Sequence, residues 1–133
     1  MDYTTRNHSK YCLMAHLIFV CKYRKRLLVQ FGDEIKTLMY DIAEESNLSV
    51  LEVEVDKDHI HLLVEYSPSQ SILEIVRLLK QISTYRLWRD GDNSTYLEKH
   101  FWTENTFWSD GYFACSIGQV GKSVIEQYIR TQG

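Results

Sequence analysis

Two pairs of residues in this chain have types and spacings that could do chemistry together. His59 and His61 stand one residue apart in DKDHIHLLVEY, and Tyr128 and Gln132 stand four apart in SVIEQYIRTQG. Alternate residues of a strand lie ~7 Å apart on one side of it, close enough for two neutral imidazoles to converge on one divalent metal. Alone, the two histidines leave the metal and its third ligand undecided, and a polar pair on a solvated sheet face reads the same way. Residues four apart on a helix share a face, and a glutamine carbonyl oxygen is a hard ligand. Two nitrogens and one oxygen would make a neutral site with positions left for phosphate oxygens and water, as magnesium or manganese needs to polarise a phosphodiester. A tyrosine hydroxyl with a pKa of about 10 is a poor nucleophile until its proton is shared or removed. Among nine tyrosines, and beside Val124, Ile125 and Ile129, Tyr128 alone reads as packing. With His59, His61 and Gln132 it reads as a nucleophile.

The elements that must position these groups follow from periodicity. YCLMAHLIFVCKY is nearly continuously apolar and reads as a central strand over about Tyr11 to Tyr23. GDEIKTLMYDIAEESN places Ile35, Leu38, Met39, Ile42 and Ala43 on one helical face, with Asn47 as a left-handed stop. In SVLEVEVD, Leu51, Val53 and Val55 alternate with Glu52, Glu54 and Asp56, and HIHLLVEY follows after a short hairpin connection at Lys57 and Asp58. Pro68 opens a turn, Ser71 and Glu74 form a capping box, and a long helix carries Ile72, Ile75, Val76, Leu79 and Ile82. The stretch from Gly91 to Asp110 reads as a loop or irregular arm, GYFACSIG as a fourth strand and KSVIEQYIRTQ as a final helix. The order β-α-β-β-α-β is the ferredoxin-like, RRM-like α+β arrangement: a four-stranded antiparallel sheet, two helices on one face, and here an extra C-terminal helix carrying the tyrosine. Ile60, Leu62, Val64 and Tyr66 then face the helices, and His59 and His61 project onto the opposite, open face.

Composition bounds the reading. With 133 residues, 44% of them hydrophobic, and one proline, the chain suits a single domain over 1–133. No apolar run approaches the roughly 20 residues of a membrane span, and MDYTTRNHSKY lacks a signal-peptide layout, so a cytoplasmic protein with no membrane partner is expected. Cys12, Cys21 and Cys115 show no C-x-x-C spacing and read as buried thiols. A net charge of -3 excludes a generally basic nucleic-acid-binding surface, so any such surface must be local. The basic groups are indeed clustered: Lys22, Arg24, Lys25 and Arg26 in CKYRKR, and Arg77, Lys80, Arg86 and Arg89 along the long helix.

The His-hydrophobic-His strand in DKDHIHLLVE, the terminal QYIRTQ helix, the AHLIFVCKYRKRLL first strand and the FWSDGYFACSIGQVG region together resemble the single-tyrosine HUH (TnpA) transposases of the insertion sequence two-hundred and six-hundred-and-five group. The resemblance covers nearly the whole chain. It implies a dimeric enzyme that recognises hairpins at insertion-sequence ends and cuts and rejoins single-stranded DNA through a 5′-phosphotyrosine bond. It also implies His59, His61 and Gln132 as ligands of Mg2+ or Mn2+, Tyr128 as nucleophile, and no nucleotide cofactor. The tyrosine helix of such a dimer serves the histidines of its own chain or docks on the other subunit. Lys22, Arg24, Lys25, Arg26, Arg77, Lys80, Arg86 and Arg89 are candidates for DNA-backbone contacts, and Tyr85, Trp88, Phe101, Trp102 and Trp108 for stacking on unpaired bases. Two alternatives stay open: a domesticated single-strand endonuclease acting on chromosomal repeats, and a non-catalytic single-stranded nucleic-acid-binding module on the same fold. Histidines stand where the latter would want stacking aromatics.

Overall fold

The computed structural model describes residues 4–6, 9–11 and 13–117; the expected terminal helix, with Tyr128 and Gln132, lies outside them, as does Cys12. A small antiparallel hairpin of β1 (Thr4–Arg6) and β2 (Ser9–Tyr11) precedes the main body. The main sheet is built from β3 (Leu13–Val20), β4 (Ser49–Val55), β5 (His59–Tyr66) and β6 (Phe113–Ser116) in the order β4-β5-β3-β6, with every neighbour antiparallel. Among the described residues three α-helices accompany it: α1 (Leu27–Glu45), α2 (Ile72–Arg89) and α3 (Gly91–Phe101). This is the ferredoxin-like α+β arrangement expected from the order of elements.

The core explains the layering. Leu17, Phe19, Ile60, Leu62 and Val64 from the two central strands meet Phe31, Ile35, Met39 and Ile42 of α1 and Ile75, Val76 and Leu79 of α2 in one buried cluster. Each strand delivers alternate residues to that cluster, as its two-residue period requires. α1 begins at Leu27, earlier than the expected start near Gly32, because Leu27, Leu28 and Phe31 extend the same buried stripe backwards. Gly32 is therefore a packing point inside the helix: a Cβ there would stand 3.2 Å from Cγ2 of Val55. Asn47 closes the helix region with φ 55, and the Ser71 hydroxyl accepts the Glu74 N–H at 3.1 Å.

Four expectations need correction. The first strand ends at Val20, not Tyr23, because Lys22–Arg24 form one tight turn in which Tyr23 (φ 60) and Arg24 (φ 53) are both left-handed. In β4 a bulge between Val50 and Glu52 reverses the inward order: Val50 is buried and Leu51 is 45% exposed. An extra residue between paired positions moves its side chain to the other face, and alternation alone does not reveal it. The supposed irregular arm contains α3, capped by the Asp90 carboxylate, which accepts N–H groups of Asp92 and Asn93 at 3.0 and 3.1 Å. Only Leu97 and Phe101 of that helix are buried, so its apolar period is short, and Gly, Asn, Ser and Thr fill its first turns. Of the two described cysteines, Cys21 is buried as expected and Cys115 is half-buried.

Candidate functional site

Directly opposed residues of antiparallel strands share a face. Val20 lies opposite His59, Ile18 opposite His61 and His16 opposite Leu63 across the β3-β5 ladder, and Glu54 lies opposite His61 across β4-β5. His59 and His61 therefore share the sheet face turned away from the helices, together with His16, Ile18 and Glu54. Parts of that face are covered, since His59 is 3% exposed and Ile18 2%.

The two rings are held in different ways. The Nδ1 of His59 lies 2.9 Å from Oδ1 of Asp58. An ionised carboxylate can only accept, so Nδ1 donates and a neutral His59 keeps its lone pair on Nε2. Arg24 holds Asp58 in turn, its Nε donating to Oδ2 at 3.2 Å. Burial pushes the Asp58 carboxyl up, but the hydrogen bonds from His59 and Arg24 outweigh it and leave the group below its usual range. The hairpin loop is fixed at its backbone as well, since Cys21 N–H donates to Asp58 O at 2.8 Å and Leu28 N–H to Lys57 O at 3.1 Å.

His61 has looser company. Its Nε2 lies 3.2 Å from Oε2 of Glu54, a carboxylate on the exposed side of β4, and its ring stacks on His16 with centroids 5.3 Å apart. Burial lowers the His61 pKa by more than the Glu54 carboxylate raises it. His16 is lowered to about 4, first by burial and then by His61, and its Nε2 is buried without a hydrogen-bond partner among the described residues. Both rings thus lie together as neutral groups near pH 7.

A divalent metal fits this donor set on the His59 side, where a carboxylate behind the ring takes the Nδ1 proton in a hydrogen bond and leaves the lone pair on Nε2. On the His61 side Nε2 must leave Glu54 to coordinate. Among the described residues no group of three or more histidine, cysteine, aspartate or glutamate side chains could hold a metal. His59 and His61 are thus the sequence-predicted candidate ligands that the described part brings together, and Tyr128 and Gln132 lie outside the described residues. Asp58, Glu54 and His16 escaped the sequence reading, although Asp58 immediately precedes His59 and its type was a usable signal.

The basic candidates divide. Lys80 is half-buried, and its ammonium donates to the carbonyls of Ser109, Asp110 and Gly111 at 2.8, 3.4 and 2.7 Å while lying over the Phe19 ring at 5.5 Å. It is therefore a brace for the 109–111 loop and not the surface cation the sequence implied. Lys22 pairs with Glu104 and Arg86 with Glu45, each at 2.6 Å. Lys25 lies over Phe101 and Arg89 over Tyr85, while Arg26, Arg77 and Arg89 are exposed. Of the aromatics, Tyr85 is 65% and Trp102 79% exposed, whereas Phe101, Trp88 and Trp108 are buried. The indole N–H groups of Trp88 and Trp108 are bound to Thr106 O and Ser83 Oγ, which marks both rings as structural. A groove of about 530 Å³ runs beside α2, with Gln81, Thr84, Tyr85 and Arg89 on one wall and Asn105 and Thr106 on the other. Lys80 also lines it and lies over the ring of the helix-side residue Phe19, so groove and histidines lie on opposite sides of the sheet.

A paired histidine strand in a four-stranded ferredoxin-like sheet defines a class, and comparison with known proteins defines it further. The chain belongs to the IS200-like transposase family, whose model matches residues 9–132. It is 33% identical over 123 residues to the ISDra2 transposase TnpA of Deinococcus radiodurans, covering 92% of this chain and 85% of that one. It is 28% identical over 129 residues to the transposase for insertion sequence element IS200 of Salmonella typhimurium, covering 94% and 80%. A crystal structure of a protein from Deinococcus radiodurans R1, assigned as a transposase, superposes with a TM-score of 0.77 at 30% identity, covering 99% of this chain and 98% of that one. The REP-associated tyrosine transposase bound to a REP hairpin shares the fold, with a TM-score of 0.54 at 11% identity over 96% of this chain and 68% of that one.

Proposed function

We propose that this chain is a transposase of single-stranded DNA, which recognises hairpins at insertion-sequence ends and cuts and rejoins strands through a bond between Tyr128 and a 5′-phosphate. The observation that carries the reading is the placing of His59 and His61 side by side on one face of β5, with Asp58 engaging the His59 Nδ1 and leaving Nε2 unengaged by it, in a chain of the IS200-like family. His59, His61 and Gln132 would hold Mg2+ or Mn2+, which when bound supplies Lewis acidity at the scissile phosphate. The phenolic oxygen of Tyr128 forms the new bond to phosphorus, the bond from phosphorus to the 3′ oxygen breaks, and that oxygen leaves as a hydroxyl after gaining a proton. A second 3′-hydroxyl then attacks the same phosphorus and releases Tyr128. The bond energy is conserved in the link, so no nucleotide cofactor enters.

The exposed cations Arg26, Arg77 and Arg89 are offered to the DNA backbone, and the exposed faces of Tyr85 and Trp102 to unpaired bases. The working unit is a cytoplasmic homodimer, each tyrosine helix serving the histidines of its own chain or of its partner. The test is a denaturing gel in which wild type and Tyr128→Phe meet labelled single strands copied from both flanks of the gene, with Mg2+, Mn2+ or chelator. A metal-dependent protein-DNA adduct is expected with wild type and not with Tyr128→Phe, which retains the native-gel shift. Cleavage by Tyr128→Phe at the wild-type rate would overturn the mechanism, and a shift without any adduct would point to the binding-module alternative.

A further inference from the structure

The basic turn after β3 and the histidine strand meet at one side chain, Asp58. Its two carboxylate oxygens are divided between them: Oδ1 takes the Nδ1 proton of His59 at 2.9 Å, and Oδ2 takes the Nε proton of Arg24 at 3.2 Å. The turn that presents Arg24 is strained. Tyr23 and Arg24 are consecutive left-handed residues with φ 60 and φ 53, although neither is glycine or asparagine. The left-handed region is unfavourable for L-residues other than asparagine and aspartate, and such strain persists where surrounding contacts over-determine it. Here the contacts are the Arg24 N–H to Cys21 O bond at 2.9 Å and the two backbone bonds that tie Cys21 and Leu28 to the 57–58 loop. The Asp58 carboxylate itself is largely sheltered while Arg24 remains 54% exposed.

We propose that Arg24 and Asp58 act as a positioning relay for His59. Asp58 fixes the ring in the tautomer that carries its proton on Nδ1, leaving Nε2 as the metal-binding nitrogen, and Arg24 fixes Asp58. This rests on the reading of His59 as a metal ligand. A free neutral imidazole favours the opposite tautomer, with the proton on the nitrogen a metal would need. Without the carboxylate, binding must first turn the tautomer over and then fix the ring. The relay also gives one of the basic residues outside the histidine strand a direct consequence for the site: whatever draws the Arg24 guanidinium away loosens the hold on His59. Among the described residues His61 has no equivalent, because its Nε2 faces Glu54.

The experiment uses the full chain and two readouts. Long-range nitrogen-proton NMR correlation on 15N-histidine protein, without metal, reads the His59 tautomer directly; electron paramagnetic resonance titration reads Mn2+ affinity. Wild type is expected to show a protonated Nδ1 and an unprotonated Nε2 at His59. Asp58→Ala should shift His59 towards the other tautomer and weaken Mn2+ binding about 10- to 100-fold. Asp58→Asn, which keeps an acceptor oxygen, should hold the tautomer and lose less affinity, and Arg24→Gln should weaken Mn2+ binding in the same direction by a smaller factor. An Asp58→Ala chain with a native amide spectrum, the wild-type tautomer and the wild-type Mn2+ affinity would overturn the relay. Should Asp58→Ala fail to fold, Arg24→Gln decides: an unchanged Mn2+ affinity there overturns the coupling to the basic turn. A wild type that binds no Mn2+ would instead sink the metal-dependent reading, while the metal-free tautomer measurement would still judge Asp58.

Discussion

The two faces of β5 are built from alternate residues of one eight-residue strand and obey different rules. On the helix side, Ile60, Leu62 and Val64 are buried among the side chains of α1 and α2. Any apolar group of the right volume satisfies that side. On the other side, His59 and His61 are each tied to a carboxylate, one through Nδ1 and one through Nε2. Volume is secondary there, and the position of one proton decides what the ring can bind. The difference teaches that stability and chemistry in this strand are separable by a one-residue step.

The largest expected effect breaks the site and spares the fold. His61→Ala should abolish metal-dependent cleavage while hairpin binding, read on a native gel, stays near wild type, because the ring stacks on His16 and pairs with the exposed Glu54 outside the helix-packed core. Leu62→Ala, one residue on, should do the reverse. Leu62 is fully enclosed, and truncating such a side chain costs about 2 to 5 kcal/mol of stability in a denaturant melt, with per-molecule cleavage retained by the protein that remains folded. Equal stability losses for the two variants would erase the distinction between the faces.

A smaller effect sharpens the same contrast one layer further out, on α2. Lys80→Met removes an ammonium bound to the carbonyls of the 109–111 loop and should lower stability by about 1 to 3 kcal/mol, the range for losing a charged hydrogen-bond partner. Arg89→Ala, at an exposed site over Tyr85, should leave the melt nearly unchanged and weaken binding of the flanking single strands, more so at low salt. If Lys80→Met melted like wild type and lost DNA binding, the sequence-based view of Lys80 as a backbone contact would be right and the bracing role wrong.

These pairs also mark how far the sequence could be read. The apolar alternation in HIHLLVEY was enough to assign its two faces, because burial of Ile60, Leu62 and Val64 leaves the histidines only one direction to point. The Ser71 cap and the Asn47 stop were legible for a similar reason, each being a local motif with a single geometric use. The bulge at Val50 to Glu52 was not, since Leu51, Val53 and Val55 keep their alternation whether or not the pairing slips by a residue. α3 was hidden by its low helix propensity, and its stability comes from Leu97 and Phe101 docking and from the Asp90 cap. Lys80 read as a surface cation because its carbonyl partners lie about thirty positions later in the chain, beyond the reach of any local pattern. Asp58 reads from the sequence as part of the hairpin connection, and only the turn of the chain at Cys21 to Leu28 brings Arg24 to it.

The two described cysteines carry the comparison of faces to its mildest test. Cys21 belongs to the core, and its thiol is pushed up to about 12, by burial first and by the nearby Asp58 carboxylate, against the opposing hydrogen bonds of the Leu27 and Leu28 backbone. Very little of the Cys21 thiol would then be ionised at pH 8, and the thiolate is the reactive form. Cys115 lies opposite His16 on the histidine face, half-buried, with its Sγ 3.4 Å from Ser116 O. Iodoacetamide at pH 8 followed by peptide mass spectrometry should therefore modify Cys115 well before Cys21, and the two should react alike in denaturant. Because the folded Cys21 pKa stands above its ordinary value of 9.0, this thiol contributes stability that is complete below pH 9 and is lost as pH rises towards 12. A Cys21→Ala chain should accordingly show a shallower fall of its denaturant midpoint across that window than wild type. Native Cys21 alkylated as fast as Cys115 would mean that the Val20 end of the sheet opens readily, and the firm hold on His59, which shares that end with Cys21, would lose its footing.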